Sequence, residues 1–477
     1  MALALILVPW GFALAVLLMS RASARARLVT VGTLVQACLV AVALLLPDVS
    51  ALGGWLRLDA LGRLVLGSTT LLLVAASVVL PAYLACHPDR SARFFCGAAM
   101  AFAGVVALMA EAHHLGLLWV GLEASTLTIA PMVYFHRSPR SIEATWKYLL
   151  VGSVGIALAL LGAFLLGYAV LRGGARPSLA FDQLLAQAPH MSRPWLHAAL
   201  LFLTVGFGTK MGLAPMHTWK PDAYGEAPGV TGALLAGALT NCAFLALLRV
   251  HRIAVAAGEA EFARRPLLLL GLLSMLVAGV FMAKQRDIKR LLAYSSVEHM
   301  GILVLGVGLG GGAILGSLLH MVNNTFAKGA LFLVAGNLQR AYGSKSTLEV
   351  RGALRRVPVS AAVLLLGFFA VTGSPPFGPF VSELTIVSSA FETGQGWIAG
   401  AMLALLAIVF LGMSAAVLAV VQGTPPTDGP VAVRPPEALA LVLPAVGLLG
   451  VVLLLGVYLP RPLVALLHQA ASELGAP

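Results

Sequence analysis

The amino-acid sequence predicts an all-α integral membrane protein with about fourteen transmembrane helices. Three observations lead there. Of 477 residues, 60% are apolar and only 10% are charged, too little polar surface to coat a soluble globule of this length. The apolar residues gather into runs near the length of about 20 residues that a spanning helix needs. Four ionisable residues, Glu123, Lys210, Lys328 and Glu383, stand inside such runs, and a charge at the bilayer centre costs about 2.5–3.5 kcal/mol on insertion scales. A chain that accepts this cost repeatedly is expected to move charge.

The runs occupy residues 1–19, 28–46, 61–84, 96–111, 113–135, 147–171, 196–217, 228–250, 266–283, 292–310, 313–338, 358–391, 397–421 and 437–459. The first lacks a basic leading segment and is followed by Arg21, Arg25 and Arg27 instead of a small-residue cleavage site, so it is expected to remain as a helix. The seventh closes on Gly212 and Pro215. The twelfth is too long for one straight helix and carries Gly373, Pro375, Pro376 and Gly378 in its middle. Proline removes a backbone donor and clashes with the preceding turn, so both runs are expected to be broken helices. Backbone freed at membrane depth has to be buried in protein or line a wet cavity, which puts both breaks on a conduction path.

Breaks five runs apart suggest an internal repeat within a single polytopic domain, 1–477. Helices four to eight (96–250) then match nine to thirteen (266–421), with helices one to three (1–95) and fourteen (437–459) outside the repeat. An even count puts both termini on one side. The loops of the other side carry about twice the Lys and Arg, so the positive-inside bias places both termini outside the cytoplasm.

At 1.5 Å per residue, Glu123, Lys210 and Lys328 lie near mid-membrane depth. Desolvation disfavours the charged form of acid and amine alike, and an opposite charge nearby restores it. A Glu123–Lys210 pair that closes holds Lys210 charged, and one that opens lets it pass its proton on. His320, Asn324 and Lys328 follow at steps of four and share one helix face, a polar track through the bilayer. His299 joins the two halves, because imidazole titrates near neutral pH. Glu383, past the second break, connects the track to one aqueous face. A purely structural reading competes at each position: static ion pairs for Lys210 and Lys328, a hydrogen-bonded core histidine for His299, and a carboxylate capping the half-helix for Glu383. His113 and His114 fall at the membrane interface, and Asp222 and Glu226 read as shaping a turn.

The net charge of +12 is spread over many short loops without a basic tail or an aromatic-flanked patch, so no nucleic-acid partner is expected. Cys38, Cys86, Cys96 and Cys242 form no CxxC pair and read as small core residues, with neither metal nor disulfide indicated. No Walker A loop, HExxH or dinucleotide fingerprint is present, so no cofactor is expected.

The segment TKMGLAPMHTWKPDAYGEAP at 209–228 resembles the signature of the proton-pumping membrane subunits of respiratory complex I and of Mrp-type antiporters. Further matches are EATWKYLLVGS (143–153), KRLLAYSSVEHMGI (289–302), HMVNNTFAKGALFLVAGN (320–337) and GSPPFGPFVSEL (373–384). The wording SSVEHMGI is most similar to the F component of hydrogenase-4 and formate hydrogenlyase-type complexes. The resemblance implies fourteen helices in which four to eight and nine to thirteen are inverted repeats. Glu123 then matches the helix-five glutamate, Lys210 the helix-seven lysine and Glu383 the terminal charged residue of helix twelve. It also implies further membrane and peripheral partner subunits in a cell inner membrane. There are departures: Asn241 stands where many relatives have a helix-eight lysine, Asn324 where close relatives have histidine, Lys220 for a leucine and Tyr224 for a histidine. The long lateral C-terminal helix of one branch is not expected here.

The expected function is therefore proton translocation within a redox-driven hydrogenase or NADH dehydrogenase-like assembly, with no redox centre in this chain. Two alternatives stand beside it: an Mrp-like sodium/proton exchanger, and a membrane anchor that has lost pumping along with the helix-eight lysine.

Overall fold

The computed structural model describes residues 1–87, 92–424 and 437–476. Among these the regular secondary structure is helical apart from one short antiparallel ribbon, β1 (Ser50–Ala51) with β2 (Leu56–Arg57), in which Ser50 faces Arg57. The helices begin with α1 (Ala2–Leu18), α2 (Ala22–Leu45) and α3 (Ala60–Ala85). Next come α4 (Ala92–Glu111), α5 (Leu115–Val133), α6 (Pro139–Arg172), the short α7 (Phe181–Gln187), α8 (Arg193–Met211), α9 (Trp219–Glu226), α10 (Gly229–Leu234) and α11 (Thr240–Ala256). Then follow α12 (Ala260–Met282), α13 (Ile288–Leu309), α14 (Gly312–Tyr342), the single turn α15 (Ala353–Arg356), α16 (Pro358–Val371), α17 (Gly378–Glu392), α18 (Gly396–Gln422), α19 (Leu439–Val457) and α20 (Arg461–Ser472).

Eleven helical segments among the described residues are long and apolar enough to cross a membrane, so this is a multi-pass membrane protein. Three expected runs fall outside that set for separate reasons. α1 has only 17 residues. α14 is long but polar through its middle, with His320, Asn323, Asn324 and Lys328. The run at 358–391 is split into α16 and α17. The sixth helix starts eight residues earlier than its apolar run, because the Ser138 hydroxyl caps the Ser141 amide (3.1 Å) and Pro139 occupies the first turn.

Both expected breaks are present. α8 stops at Gly212 with φ +79°, and the chain resumes as α9. Protein fills the gap: the Ser274 hydroxyl of α12 accepts the Ala214 amide (2.9 Å), and the Trp219 indole donates to the Thr209 carbonyl (2.9 Å). α16 stops before Gly373, φ +64°, and the chain resumes at Gly378. There a Cβ on Gly373 would overlap the Glu383 carboxylate, and one on Gly378 would lie 2.6 Å from Asn323 Cγ. A π-turn at Leu235–Leu239 joins α10 to α11 just before Asn241, a distortion that is frequent near functional sites.

Polarity sorts the helices by depth. Residues 229–251 and 316–335 are buried throughout, and these are the stretches that carry Asn241, His320, Asn324 and Lys328. α18, which carries no charge, leaves Leu411 68% and Trp397 70% exposed on its outer face. That is the inside-out arrangement a hydrocarbon solvent imposes. Cys96 and Cys242 are buried as expected, but Cys38 and Cys86 are exposed. Along a lipid-facing helix an apolar residue lies at the surface as readily as in the core.

Candidate functional site

Lys210 is the penultimate residue of α8, fully buried one residue before the break. Its ammonium donates to the Thr126 hydroxyl and sits 5.1 Å from the centre of the Tyr148 ring. Glu123 lies one turn before Thr126 on α5, and its carboxylate accepts from Thr126 (3.4 Å) and from Ser153 of α6 (3.1 Å). Glu123 and Lys210 thus meet at one hydroxyl, which is equally close to the Leu122 carbonyl (3.4 Å), and not as the direct pair expected from the sequence. Residues three apart on a helix are surface neighbours, so Thr126 stands between the carboxylate and the incoming amine. A hydroxyl both donates and accepts, which makes it a connector between acid and base.

The same arrangement occurs a second time. Lys328 of α14 donates to the Ser295 hydroxyl of α13, and Ser295 donates to Glu298 one turn later (3.4 Å). All three residues are fully buried. Next to Ser295, Ser296 accepts from Lys220 of α9 (3.2 Å), whose ammonium lies 5.8 Å from the Tyr224 ring centre. Asn241 donates to Thr325 (2.6 Å), and the side chains of Asn323 and Asn324 have no protein hydrogen bond despite full burial.

A third group closes the series. The His299 and His320 imidazoles share a hydrogen bond (2.8 Å), and His320 is bonded to the Ser382 hydroxyl (2.9 Å). Glu383 follows Ser382, with an oxygen within 4.8 Å of a nitrogen of each imidazole. It also borders a cavity of about 480 Å³ whose other walls include Phe380, Leu403 and Phe410. By donor type, His299, His320 and Glu383 could hold a borderline transition-metal ion. Three of their four ring nitrogens are already bonded, to each other and to Ser382, while His299 Nε2 has no hydrogen-bond partner among the described residues.

The sequence-selected residues therefore gather into a Glu123–Lys210 group and a Lys328–His299–His320–Glu383 region. Asn241 touches the latter through Thr325, and Asn324 faces no partner. Gly212, Pro215, Pro375 and Pro376 lie in the two chain breaks. Sequence reasoning missed Glu298, Lys220 and the connectors Thr126, Ser295 and Ser296. The pairs Ser295–Glu298 and Glu123–Thr126, each three residues apart, were the available signal.

Outside the buried core, Asp222 pairs with Lys147 (2.8 Å) and Arg290 (2.8 Å), and Lys345 pairs with Glu226 (2.8 Å) and Asp287 (3.1 Å). Asp222 and Glu226 thus clamp α9 to α6, α13 and the segment after α14 rather than only shaping a turn. At the opposite end, His113 bonds Asp182 (2.9 Å) and holds its carboxyl below the usual range. There burial, with Asp59 adding to it, pushes Glu473 up. His114 stacks on Trp55 at 4.5 Å.

Residues 112–410 match the family model described as NADH:quinone oxidoreductase/Mrp antiporter, transmembrane. The chain is 37% identical over 356 residues to a hydrogenase-4 component F homolog of Methylacidiphilum infernorum, covering 73% of this chain and 72% of that protein. It is 31% identical over 318 residues to NADH-quinone oxidoreductase subunit N of Desulforudis audaxviator, covering 66% and 62%. In structure it is similar to a chain of respiratory complex I from Thermus thermophilus, with a TM-score of 0.75, 28% identity and coverage of 97% and 100%.

Proposed function

Because this chain belongs to the NADH:quinone oxidoreductase/Mrp antiporter family of membrane subunits, we propose that it translocates protons as one subunit of a redox-driven assembly of the hydrogenase-4 or NADH dehydrogenase type. The observation that carries this reading is the twofold use of one device, a buried lysine linked to a glutamate through a single hydroxyl. A static ion pair would be better served by direct contact, since a buried pair recovers its desolvation cost only with good mutual geometry. An interposed hydroxyl lets a proton cross between acid and amine without the two side chains meeting. His299, His320 and Glu383 continue the route toward one membrane face.

In this reading the fourteen helical runs all span the bilayer. Residues 96–250 and 266–421 form two inverted repeats, each with a broken helix, and both termini lie outside the cytoplasm of an inner membrane. Each repeat contains one broken helix, whose break frees backbone from regular helical bonding. Partner subunits would carry the electron chemistry, since the chain's buried polar groups are those of proton transfer.

The test is proton flux in liposomes that hold the purified assembly, driven by the electron donor it oxidises and followed with a trapped pH dye. Lys210→Ala and Glu123→Gln should each reduce flux to background while assembly and electron transfer persist. Wild-type flux in both would sink the relay and leave an anchoring role. Flux that requires a sodium gradient in the wild type would instead favour cation exchange.

A further inference from the structure

Lys220 enters the sequence reading only as a departure from the family pattern, yet it is among the largest fully buried side chains of the described residues. Its position follows from the first break. Gly212 lacks a side chain, and its missing Cβ is the space that the Lys220 stem occupies: a Cβ there would lie 2.5 Å from Lys220 Cδ and 3.1 Å from Cγ. The stem crosses the gap between α8 and α9 and delivers the ammonium to Ser296. Among the described residues no carboxylate lies within ion-pair distance of it. The amines of Lys220 and Lys328 are held by the neighbouring hydroxyls Ser296 and Ser295.

Between Lys210 and that point stand two tyrosines and a tryptophan. Tyr148, under the Lys210 ammonium, lies beside Thr126, and Tyr224, under the Lys220 ammonium, lies beside Ser296. Neither phenol hydroxyl is engaged in a formed hydrogen bond, although both are fully buried. Trp219 packs between the two rings, 5.2 Å from Tyr148 and 6.0 Å from Tyr224. A phenol both donates and accepts. A buried amine without a carboxylate partner is a poor packing element, because nothing offsets its desolvation. The same amine is a good carrier, because it gives up a proton readily where a guanidinium does not.

We propose that Lys220 is a proton-carrying residue that connects the Glu123–Lys210 group to the Glu298–Lys328 group, receiving from the Tyr148–Tyr224 side and delivering through the Ser296–Ser295 hydroxyl pair. This rests on the proposed translocation function. It assigns the middle of the track to α9 and not to Asn241 of α11, whose amide is committed to Thr325.

The test uses the complete assembly in liposomes, with Lys220→Met and Lys220→Arg measured beside Lys210→Ala. Arginine keeps the charge and the donors but holds its proton. Both Lys220 variants should assemble, keep electron transfer and lose about 100-fold or more in proton flux, the scale a positioned proton-transfer group contributes. Retained flux in Lys220→Arg would reduce the residue to an electrostatic role and overturn the proposal, as would retained flux in Lys220→Met. If Met or Arg disturbs assembly, Lys220→Gln keeps a donor to Ser296 without a transferable charge, and wild-type flux there is likewise fatal. Lys210→Ala separates the two claims: loss there with retention in the Lys220 variants defeats only this inference, while retention there defeats the translocation reading itself.

Discussion

Thr126 carries one hydroxyl, and it stands between Glu123 and Lys210. Thr126→Val is close to isosteric and removes only that oxygen, so the fold should hold while proton flux falls by about 100-fold, the contribution typical of a positioned proton-transfer group. Thr126→Ser should restore most of it; equal flux in Val and Ser variants would show that the oxygen is not used. The two ends of this link were legible in the sequence because a Glu and a Lys inside apolar runs are rare and expensive. Thr126 was not, because threonines in helices routinely bond their own backbone, as Thr128 does here to the Ala124 carbonyl (3.0 Å). Glu298 stood in a recognisable motif, but its partner comes from another helix, and no spacing within one segment reveals a contact between two. Lys220 was hidden for a different reason: the apolar run ends at 217, so a residue just beyond it reads as loop.

At the level of elements, the breaks were the most readable feature, since Gly and Pro act locally through φ and a lost donor. What fills them was not readable. Gly373 sits at φ +64° against the Glu383 carboxylate, so a methyl group there both strains the backbone and displaces the acid. Gly373→Ala should therefore lower the thermal midpoint of the purified assembly and cut flux, whereas Gly394→Ala, also at positive φ but with nothing within 4 Å of an added Cβ, should affect stability alone. Equal flux losses in the two would remove Glu383 from the explanation. Helix ends were read less well, as at α6, because apolarity marks where a helix meets hydrocarbon and caps mark where its hydrogen bonding starts.

Across the whole molecule, the apolar surface belongs to helices such as α18 and the polar groups to α11, α13 and α14. Leu411→Lys, on the outward face of α18, should lower the inserted fraction by an amount corresponding to about 2.5–3.5 kcal/mol at mid-depth, read by membrane fractionation. Insertion like the wild type would mean that this face is covered by a partner subunit instead of lipid. One helix, α14, reaches three separate contacts: His320 to His299 and Ser382, Thr325 to Asn241, and Lys328 to Ser295. It behaves as an axle with three spokes. A slide or twist of that rod would strain all three spokes together, because they stand on one helix.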